Sequence, residues 1–461
     1  MLQRYIGDRA FYRRAMRIAI PLIVQNAITS FVSLLDNIMV GQVGTLQMSG
    51  VSIVNQLLFI FNLCIFGANA GAGIFTAQFH GSGDEKSIRY TFRFKLICCT
   101  LLTRAGCAVL YLADTSLIGM YLRGEGSAAD AAAALNYGRE YLHLMLWSLL
   151  PFAICNAYSS SLRETGQTVV PMVGSVVSLV VNLVLNYILI FGHFGAPAMG
   201  IRGAAIATIC SRFAELAVVA GWAHFHTHRH AFIQGVYRSL YVPGRLLVSI
   251  IGKATPLMIN ECLFATGLAF VNQCYSTCGL DVVPAVTICS TIFQIASVAY
   301  MAVGHTVGII MGQMMGAGSS IEAIRDTNRK MVALSVVSGI LFAVLTGLLS
   351  GVFPRLYNTT DHVRALAGQL ILISALVLPS NAYVHSAYFS LRSGGKTLIT
   401  FLFDSGFMWC VYVPCAYILS RFTSLPIVPL YFICQCVDYL KSLAGWIMLK
   451  KCHWIQNLTR N

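Results

Sequence analysis

The chain has 461 residues, of which 57% are hydrophobic and 10% are charged, whereas about 25% of the residues in an average soluble domain are charged. Apolar stretches of about 20 residues, the length that crosses a bilayer, recur along the whole chain and exclude a soluble globular protein. The formal net charge of +14 does not indicate a nucleic-acid-binding protein, because the basic residues lie in short segments between the apolar stretches.

Taken in chain order, the apolar stretches predict an all-α membrane protein with twelve transmembrane helices. The predicted spans are residues 17–40, 51–79, 91–113, 137–160, 168–192, 200–223, 249–274, 283–311, 330–353, 368–391, 397–420 and 426–449. The fifteen cysteines are scattered among these spans and form neither a disulfide framework nor a zinc-binding spacing.

The distribution of Lys and Arg predicts the orientation. If the N-terminus is cytoplasmic, most of the basic residues lie on inside segments, as cytoplasmic loops require. Those inside segments contain Lys86, Arg89, Arg229, Arg238, Arg325 and Lys330. We therefore expect both termini in the cytoplasm, and an integral protein of a bacterial plasma (inner) membrane.

The two halves of the sequence repeat. The segment Pro21-Leu-Ile-Val-Gln-Asn26 corresponds to Pro256-Leu-Met-Ile-Asn-Glu261, 235 residues later. Two further pairs follow in order: Gln78-Phe-His-Gly81 with Gln313-Met-Met-Gly316, and Ser161-Leu-Arg163 with Ser390-Leu-Arg392. Six spans per half predict two pseudo-symmetric six-helix lobes with the same orientation, an architecture of rocking transporters.

The repeat also sets the predicted domain boundaries. The N-lobe covers residues 1–223 with spans 1–6, a cytoplasmic linker covers 224–248, and the C-lobe covers 249–461 with spans 7–12 and a short tail. The His224–His230 tract in the linker resembles a metal-binding run, but its alternate spacing without acidic or cysteine ligands specifies no metal geometry. We predict no metal site there.

Five acidic residues of the predicted spans are costly in hydrocarbon unless they are paired, hydrated or facing a cavity. Glu215 has Arg212 one turn before it and Asp438 has Lys441 one turn after it, spacings that predict ion pairs on one helix face. Asp36, Glu261 and Asp404 have no such neighbour and are the candidates for cation binding. Alternatively, each of these three acids only hydrogen-bonds a neighbouring helix.

Other polar and helix-bending residues accompany these acids. Asn182 and Asn186 share one face of span 5, and with Thr208 on span 6 they could complete a site with Asp36; ordinary interhelical hydrogen bonding is the alternative. Pro21 and Pro256 sit early in equivalent spans, where the missing backbone donor creates a kink. Each proline is a hinge candidate, and a static packing kink is equally compatible with the sequence.

Several segments together resemble the multidrug and toxic compound extrusion (MATE) family. They are Asp36-Asn-Ile-Met-Val-Gly-Gln-Val-Gly44, Asn182-Leu-Val-Leu-Asn-Tyr-Ile-Leu-Ile-Phe-Gly192, Gly203-Ala-Ala-Ile-Ala-Thr208 and Leu391-Arg-Ser-Gly-Gly. Each is short, but their order and placement make the combination specific, and the resemblance covers essentially the whole chain.

The resemblance implies two six-helix lobes around a central cavity, and export of organic, mostly cationic amphipathic compounds in exchange for Na⁺ or H⁺. By position, Asp36 matches the acid of the family's first span, Glu261 matches that of the seventh, and Asp404 lies on the helix region that supplies a C-lobe partner. Many relatives carry Asp where this chain has Asn186, which makes a proton relay confined to the N-lobe less secure. The NorM-type branch and sodium are slightly favoured.

This expectation involves no enzyme activity, no cofactor and no nucleic acid; the partners are small organic substrates, the coupling ion and the bilayer, and a monomer suffices. The nearest alternative is a lipid-linked oligosaccharide flippase of the same superfamily, which would need a basic cavity for pyrophosphate, whereas the predicted spans carry few Lys or Arg. A membrane-embedded enzyme would need a convergent nucleophile or metal set, and the spans contain no such motif.

Overall fold

The computed structural model describes residues 5–122, 128–228, 230, 232–451 and 453–459. Twelve helical spans within these residues are long and apolar enough to cross a membrane, which confirms the twelve predicted helices. The helices are α1 (Arg9–Gly41), α2 (Thr45–Ser82), α3 (Glu85–Leu112), α4 (Asp114–Tyr121), α5 (Ala128–Glu164), α6 (Val169–Phe191), α7 (Ile201–Phe225), α8 (Gly244–Ser276), α9 (Val282–Gly316), α10 (Ile321–Leu349), α11 (Asp361–Ser393), α12 (Thr397–Phe401), α13 (Val413–Phe422) and α14 (Ile427–Lys451).

Two features of these helices were not predicted. The short helix α4 lies between the third and fourth spans, in a segment expected to be a loop. The eleventh span is a continuous helical rod of α12 and α13 joined by two π-helical turns, Leu402–Gly406 and Met408–Tyr412. Such wide turns are rare and are frequently found at functional sites.

The sequence repeat is visible in the backbone between consecutive helices. Gly83 and Gly318 both have positive φ, at 75° and 70°, and are 235 residues apart. Gly166 and Gly395 have φ of 87° and 73° and are 229 residues apart. Glycine adopts this left-handed conformation without the steric cost that a Cβ imposes, so the same turn ends the second and the fourth span of each repeat. We refer to α1–α7 as the N-terminal repeat and to α8–α14 as the C-terminal repeat.

The ends of α2 and α9 cross at two equivalent glycines. A Cβ added to Gly81 would lie 2.0 Å from the carbonyl oxygen of Gln313, and one added to Gly316 would lie 1.8 Å from that of Gln78. Both distances are far below van der Waals contact, so only glycine allows this approach. The repeated Gln-x-x-Gly segments are therefore the two halves of one reciprocal helix crossing.

The chain divides into two compact units. The first comprises Val24–Thr76 and Asp84–Ile251; the second comprises the chain up to Ile23, Ala77–Gly83 and the chain from Gly252 onward. The functional lobes predicted at 1–223 and 249–461 remain a prediction. Helices α1 and α8 each pass from one unit to the other within five residues of the hinge candidates Pro21 and Pro256, whose role as hinges also remains a prediction.

Part of the predicted linker packs against the N-terminal repeat. Its side chains Phe232, Ile233 and Val236 are buried. Arg93 of α3 donates hydrogen bonds to the carbonyl oxygens of Gly235 (2.9 Å), Val236 (2.9 Å) and Tyr241 (3.2 Å). The segment is thus an ordered part of the first unit. Arg229, within the histidine tract, lies outside the described residues.

Candidate cation-coupling sites

The N-terminal cluster consists of Asp36 on α1, Asn182 and Asn186 on α6, and Thr208 on α7. Asn186 Nδ2 donates to Asp36 Oδ1 at 2.6 Å and to Asn182 Oδ1 at 3.0 Å. Asn182 Nδ2 donates to Thr208 Oγ1 at 3.5 Å. The structure therefore brings all four predicted residues of this site together, although their role in ion binding is not tested by this proximity.

The helix α6 buries its polar face, which carries the two asparagines, and exposes its apolar face, the reverse of a helix in a soluble protein. Its buried face carries Ser175, Ser178, Asn182 and Asn186 at helical spacing, whereas Val, Leu and Tyr side chains occupy its exposed face. In a membrane the exposed face contacts lipid and the polar face turns inward, because unsatisfied polar groups are costly in hydrocarbon.

The hydrogen-bond direction at Asp36 leaves an acceptor available. An ionised carboxylate only accepts, so Asn186 must present its NH₂ group to Asp36. Asn186 Oδ1 is then buried and has no hydrogen-bond partner among the described residues. Arg212 lies within electrostatic reach of Asp36 but forms its ion pair elsewhere. The cluster thus offers one carboxylate together with neutral amide and hydroxyl oxygens.

A second polar chain runs through the same unit. Arg212 Nη1 lies 3.1 Å from Glu215 Oε2, which confirms the ion pair predicted from their spacing. Ser175 Oγ donates to Glu215 Oε1 at 3.0 Å and accepts from Gln25 Nε2 at 3.1 Å. Arg163 Nη1 in turn donates to Gln25 Oε1 at 3.3 Å. Glu215 is therefore neutralised and held in place.

In the C-terminal repeat, Asp404 is paired with Lys441. Lys441 Nζ lies 2.7 Å from Asp404 Oδ1, and Asn260 Nδ2 donates to Asp404 Oδ2 at 2.9 Å. The predicted ion pair between Lys441 and Asp438 is wrong, because the lysine side chain crosses from α14 to the eleventh span. Asp404 has no basic neighbour on its own helix, as the sequence indicates, and its counter-ion comes from another span.

The π-helical turn that carries Asp404 is fixed by Asn260. Ser405 Oγ donates to Asn260 Oδ1 at 2.7 Å, and the Ser405 amide donates to the same oxygen at 3.2 Å. Asn260 thus binds two consecutive residues of the wide turn and orients the Asp404 carboxylate. Sequence reasoning singled out Glu261 on this helix and missed its neighbour Asn260.

Glu261 has a different environment. Its side chain is half-buried, and among the described residues no hydrogen bond to its carboxylate is found. The charged groups in electrostatic reach are Arg392 and Asp404. Arg392 stacks its guanidinium over Tyr388 and Phe389, 6.0 and 5.2 Å from the ring centroids. Of the three acids predicted within spans of the C-terminal repeat, only Asp404 therefore has an ion pair among the described residues; Glu261 and the half-buried Asp438 have none.

The same three positions carry a polar triad in each repeat. Gln25, Ser175 and Glu215 are joined by hydrogen bonds in the N-terminal repeat, and Asn260, Asp404 and Lys441 in the C-terminal repeat. Gln25 and Asn260 differ by the offset 235 of the first spans, and Ser175 and Asp404 by the offset 229 of the paired glycines. Glu215 and Lys441 are both the fifteenth residue of their helices. Each triad joins the first, fifth and sixth spans of its repeat. The charged members differ: Glu215 in the N-terminal triad, and Asp404 and Lys441 in the C-terminal triad.

The N-terminal cluster has no polar counterpart. The residues at the same offsets from Asp36, Asn182, Asn186 and Thr208 are Val271, Val411, Cys415 and Cys434. All four belong to, or pack against, one hydrophobic core of the C-terminal repeat. The helix arrangement is therefore stable with apolar side chains at these positions, and the packing of a repeat does not require the cluster.

Buried cations are more numerous than the sequence indicated. Lys95 on α3 is fully buried, with its Nζ 2.5 Å from Glu164 Oε2 and 2.8 Å from Ser160 Oγ. Lys95 lies within the predicted span 91–113. The scarcity of intramembrane Lys and Arg is therefore not a valid argument against a flippase, although Lys95 and Lys441 are both occupied by carboxylates.

A comparison with protein families identifies the class of protein. The family model described as MatE matches residues 21–188 and 256–433, most of the chain. The two matched segments begin at Pro21 and Pro256, the first residues of the internal repeat. The chain belongs to the MATE family and is an integral membrane transporter of small organic substrates, not an enzyme.

Bacterial relatives align over most of the chain. A probable multidrug resistance protein NorM of Thermotoga maritima is 23% identical over 417 residues, covering 90% of this chain and 86% of the relative. A probable multidrug resistance protein YoeA of Bacillus subtilis is 27% identical over 414 residues, covering 88% and 87%.

Solved structures share the fold. A mutant of the Vibrio cholerae MATE transporter VcmN is similar with a TM-score of 0.85 and 20% identity, covering 98% of this chain and 99% of that chain. A MOP-superfamily transporter of Pyrococcus furiosus has a TM-score of 0.85 and 17% identity, covering 98% of both chains. These likenesses show the all-helical fold of twelve spans.

Proposed function

We propose that this transporter exports organic, cationic amphipathic molecules by antiport against an inward-moving Na⁺ or H⁺. The observation that carries the proposal is the N-terminal cluster, in which neutral amides hold the Asp36 carboxylate. Since the equivalent positions of the other repeat are apolar, the cluster has a role other than packing. An intramembrane carboxylate of this kind is typical of an ion pathway.

The donor set suits Na⁺. Asp36, Asn182, Asn186 and Thr208 can supply oxygen ligands, which hard cations prefer, and Asn186 Oδ1 is a buried acceptor without a partner among the described residues. A proton would instead bind to Asp36 alone. Na⁺ is slightly favoured, since the cluster has one carboxylate surrounded by neutral oxygens.

Coupling requires that the ion and the substrate favour opposite conformations. Binding of a cation at Asp36 would neutralise its buried charge and favour the state that releases substrate. A ligand that binds both states equally would shift nothing. A cationic substrate would be attracted to Glu261 rather than to Asp404, because the Asp404 carboxylate is already engaged by Lys441.

The arrangement in the membrane follows from the basic residues. We place both termini in the cytoplasm of a bacterial plasma membrane, with the linker on the same side. Each chain carries both repeats and both candidate sites, so a monomer is sufficient for transport.

The proposal is tested by efflux of a fluorescent cationic dye from proteoliposomes under an inward Na⁺ gradient or an inward H⁺ gradient, imposed separately. We expect one gradient to drive efflux by the wild-type protein, and we expect Asp36→Asn and Glu261→Gln to abolish it. Both variants should retain the unfolding midpoint, since each replaces a carboxylate by an amide of the same shape.

Glu140→Gln provides the matched control. Glu140 lies on α5, is partly exposed and pairs with Arg202, so its carboxylate belongs to neither candidate site. The control should transport as the wild-type protein does. Gradient-driven efflux that persists in both Asp36→Asn and Glu261→Gln would exclude these residues from coupling.

A further inference from the structure

A basic pocket lies where the beginning of α3 meets the ordered linker. Its volume is about 600 Å³, and it is lined by Arg89, Arg93, Gln234, Gly235 and Arg238. Three of the five lining residues are arginines, and none is an Asp or a Glu. The pocket belongs entirely to the first unit and is separate from the candidate cation-coupling sites.

The two elements present their arginines to the same space. Arg89 and Arg93 are one helical turn apart on α3, which places both on one face. Opposite them, Gly235 has a φ of 67° and begins the short turn Val236–Arg238. The Arg238 side chain lies against Gly235, with its Cδ 3.5 Å from the position that a Cβ would occupy.

Arg93 is a buried cation whose bonds are all to neutral groups. It is 7% exposed, and its three hydrogen bonds to linker carbonyl oxygens use three of the five N–H donors of a guanidinium. No carboxylate among the described residues lies within 4.0 Å of Arg93 or Arg238. Burial of a charge without a counter-ion is costly, so an anion in the pocket would be stabilising.

The C-terminal repeat shows that the pocket depends on the linker. Counted from the helix caps Asp84 and Ser320, the counterparts of Arg89 and Arg93 on α10 are Arg325 and Arg329. Arg329 is exposed, whereas Arg93 is covered by the linker. Both repeats thus carry two arginines at this spacing, and the pocket with its third arginine, Arg238, is formed in the first unit by the linker.

We propose that this pocket binds a phosphate-bearing anion, either the headgroup of an acidic phospholipid or a soluble phosphate compound. Guanidinium groups match phosphate oxygens in geometry and charge. The headgroup is the favoured source, because Arg89 and Arg93 lie one and two turns inside a membrane-spanning helix. Tyr90 and Tyr241 flank them, with ring centroids 6.3 Å apart, as is typical of the membrane interface.

The experiment measures binding to the purified full-length protein in detergent through the shift of its thermal unfolding midpoint. The probes are a short-chain phosphatidylglycerol, the zwitterionic phosphatidylcholine of equal chain length, and inorganic phosphate. The variants are Arg238→Gln and Arg89→Gln, with Arg329→Gln as the control from the other repeat. Arg93 is left intact because its hydrogen bonds hold the linker.

We expect phosphatidylglycerol, but not phosphatidylcholine, to raise the midpoint of the wild-type protein and of Arg329→Gln. In Arg238→Gln and Arg89→Gln the apparent dissociation constant should rise about tenfold, the effect of losing one charge-assisted hydrogen bond. An equal shift with inorganic phosphate, lost in the same two variants, would identify a soluble phosphate compound as the source.

Equal responses of all four proteins to every probe would overturn the proposal, and so would a wild-type protein that responds to none. Because the readout is binding and involves no gradient, these outcomes are independent of dye efflux. If the antiport proposal fails, the proposal of anion binding in the pocket is unaffected, and the converse also holds.

Discussion

Lys441 is surrounded by aromatic rings as well as by its acid. Its Nζ lies 5.5 Å from the ring centroids of Phe264 and Phe403 and 6.0 Å from that of Phe407, and the residue is 6% exposed. The aromatic faces attract the ammonium group, but the charge that balances it is the Asp404 carboxylate. Removal of the lysine alone would leave a buried carboxylate without its counter-ion.

We therefore expect Lys441→Met to lower the free energy of unfolding by about 3–5 kcal/mol. The double variant Lys441→Met/Asp404→Asn should recover most of this loss, because it also removes the buried negative charge. Reversible unfolding of the three proteins in detergent measures the difference. Equal stability of the single and the double variant would show that the unpaired Asp404 carboxylate is not the cause of the loss.

Asp114, the first residue of α4, lies outside the membrane spans. Burial raises the pKa of its carboxyl, but hydrogen bonds from Arg139, Thr115 and His143 outweigh burial and lower the pKa to about 2. Arg139 Nε and His143 Nε2 lie 2.8 and 2.9 Å from Asp114 Oδ2. The carboxylate therefore links α4 to α5.

A depressed pKa in the folded state stabilises the protein above the unfolded-state pKa and ceases to do so as the pH falls through the folded-state value. We expect the wild-type protein to be more stable than Asp114→Asn at about pH 6, with the difference disappearing between about pH 4 and pH 2. Unfolding midpoints across this range test it. Asp361→Asn, at an exposed acid, is the control, and a difference independent of pH would contradict the assignment.

At the residue level, sequence predicts contacts within one helix better than contacts between helices. Arg212 and Glu215 are three residues apart and form the expected pair, because that spacing alone places them on one face. Two acids are candidates for pairing with Lys441. Only Asp438 is near it in sequence, so the spacing predicted Asp438, whereas the structure pairs Lys441 with Asp404. Only the fold brings Asp404 within reach of α14.

The reciprocal crossing of α2 and α9 leaves no room for a side chain at either of its glycines. A methyl group at Gly81 or Gly316 would overlap a backbone carbonyl of the other helix, and a backbone cannot yield as the tip of a flexible side chain can. We expect Gly81→Ala and Gly316→Ala each to destabilise the protein by about 1–3 kcal/mol or more.

Gly347→Ala is the matched control for this crossing. Gly347 is also helical, but nothing lies within 4 Å of the position of its Cβ. There the added methyl group should be neutral or stabilising, because alanine favours the helix by about 1 kcal/mol over glycine. Thermal unfolding compares the three variants; similar midpoints for all of them would show that the crossing relaxes freely.

The hinge proposal for Pro21 and Pro256 is tested by restoring the helix at each position. Pro21→Ala and Pro256→Ala regain a backbone donor and lose the ring clash, so we expect the unfolding midpoint to stay or rise while dye efflux falls. Pro426→Ala, at an exposed position before α14, should change neither. Unchanged efflux in both helix variants would leave the prolines as static features of packing.

Hydropathy predicted every span because the length of an apolar run is set by the bilayer and not by the packing partners. It could not predict the π-helical turns of the eleventh span. Neither Leu402–Gly406 nor Met408–Tyr412 carries a proline or another local signal of a wide turn, and the hydrogen bonds of Ser405 to Asn260 on α8 at the first turn join residues 145 positions apart. The helix α4 was missed since eight residues are too short for a periodic signal.

For the whole molecule, the asymmetry of Lys and Arg predicts a cytoplasmic linker and an external loop between α13 and α14. We expect a protease site inserted after Leu240 to be cut in inverted vesicles and protected in right-side-out vesicles. A site inserted after Thr423 should show the opposite pattern. Five spans separate the two sites, so cleavage of both sites from the same side would contradict the assigned topology.

The two repeats are internal copies of one six-helix unit. A feature that both copies share belongs to the fold, whereas a feature that only one copy has is not needed for the fold. Where the first copy buries Asp36 and two asparagines, the second buries valines and cysteines in the same helical framework. The same helical framework therefore occurs once with the polar cluster and once without it. The cluster is consequently a part that can be gained or lost without rebuilding the helices. If it binds the coupling ion as proposed, substitutions at these four positions alone alter the ion site while the rest of the transporter stays as it is.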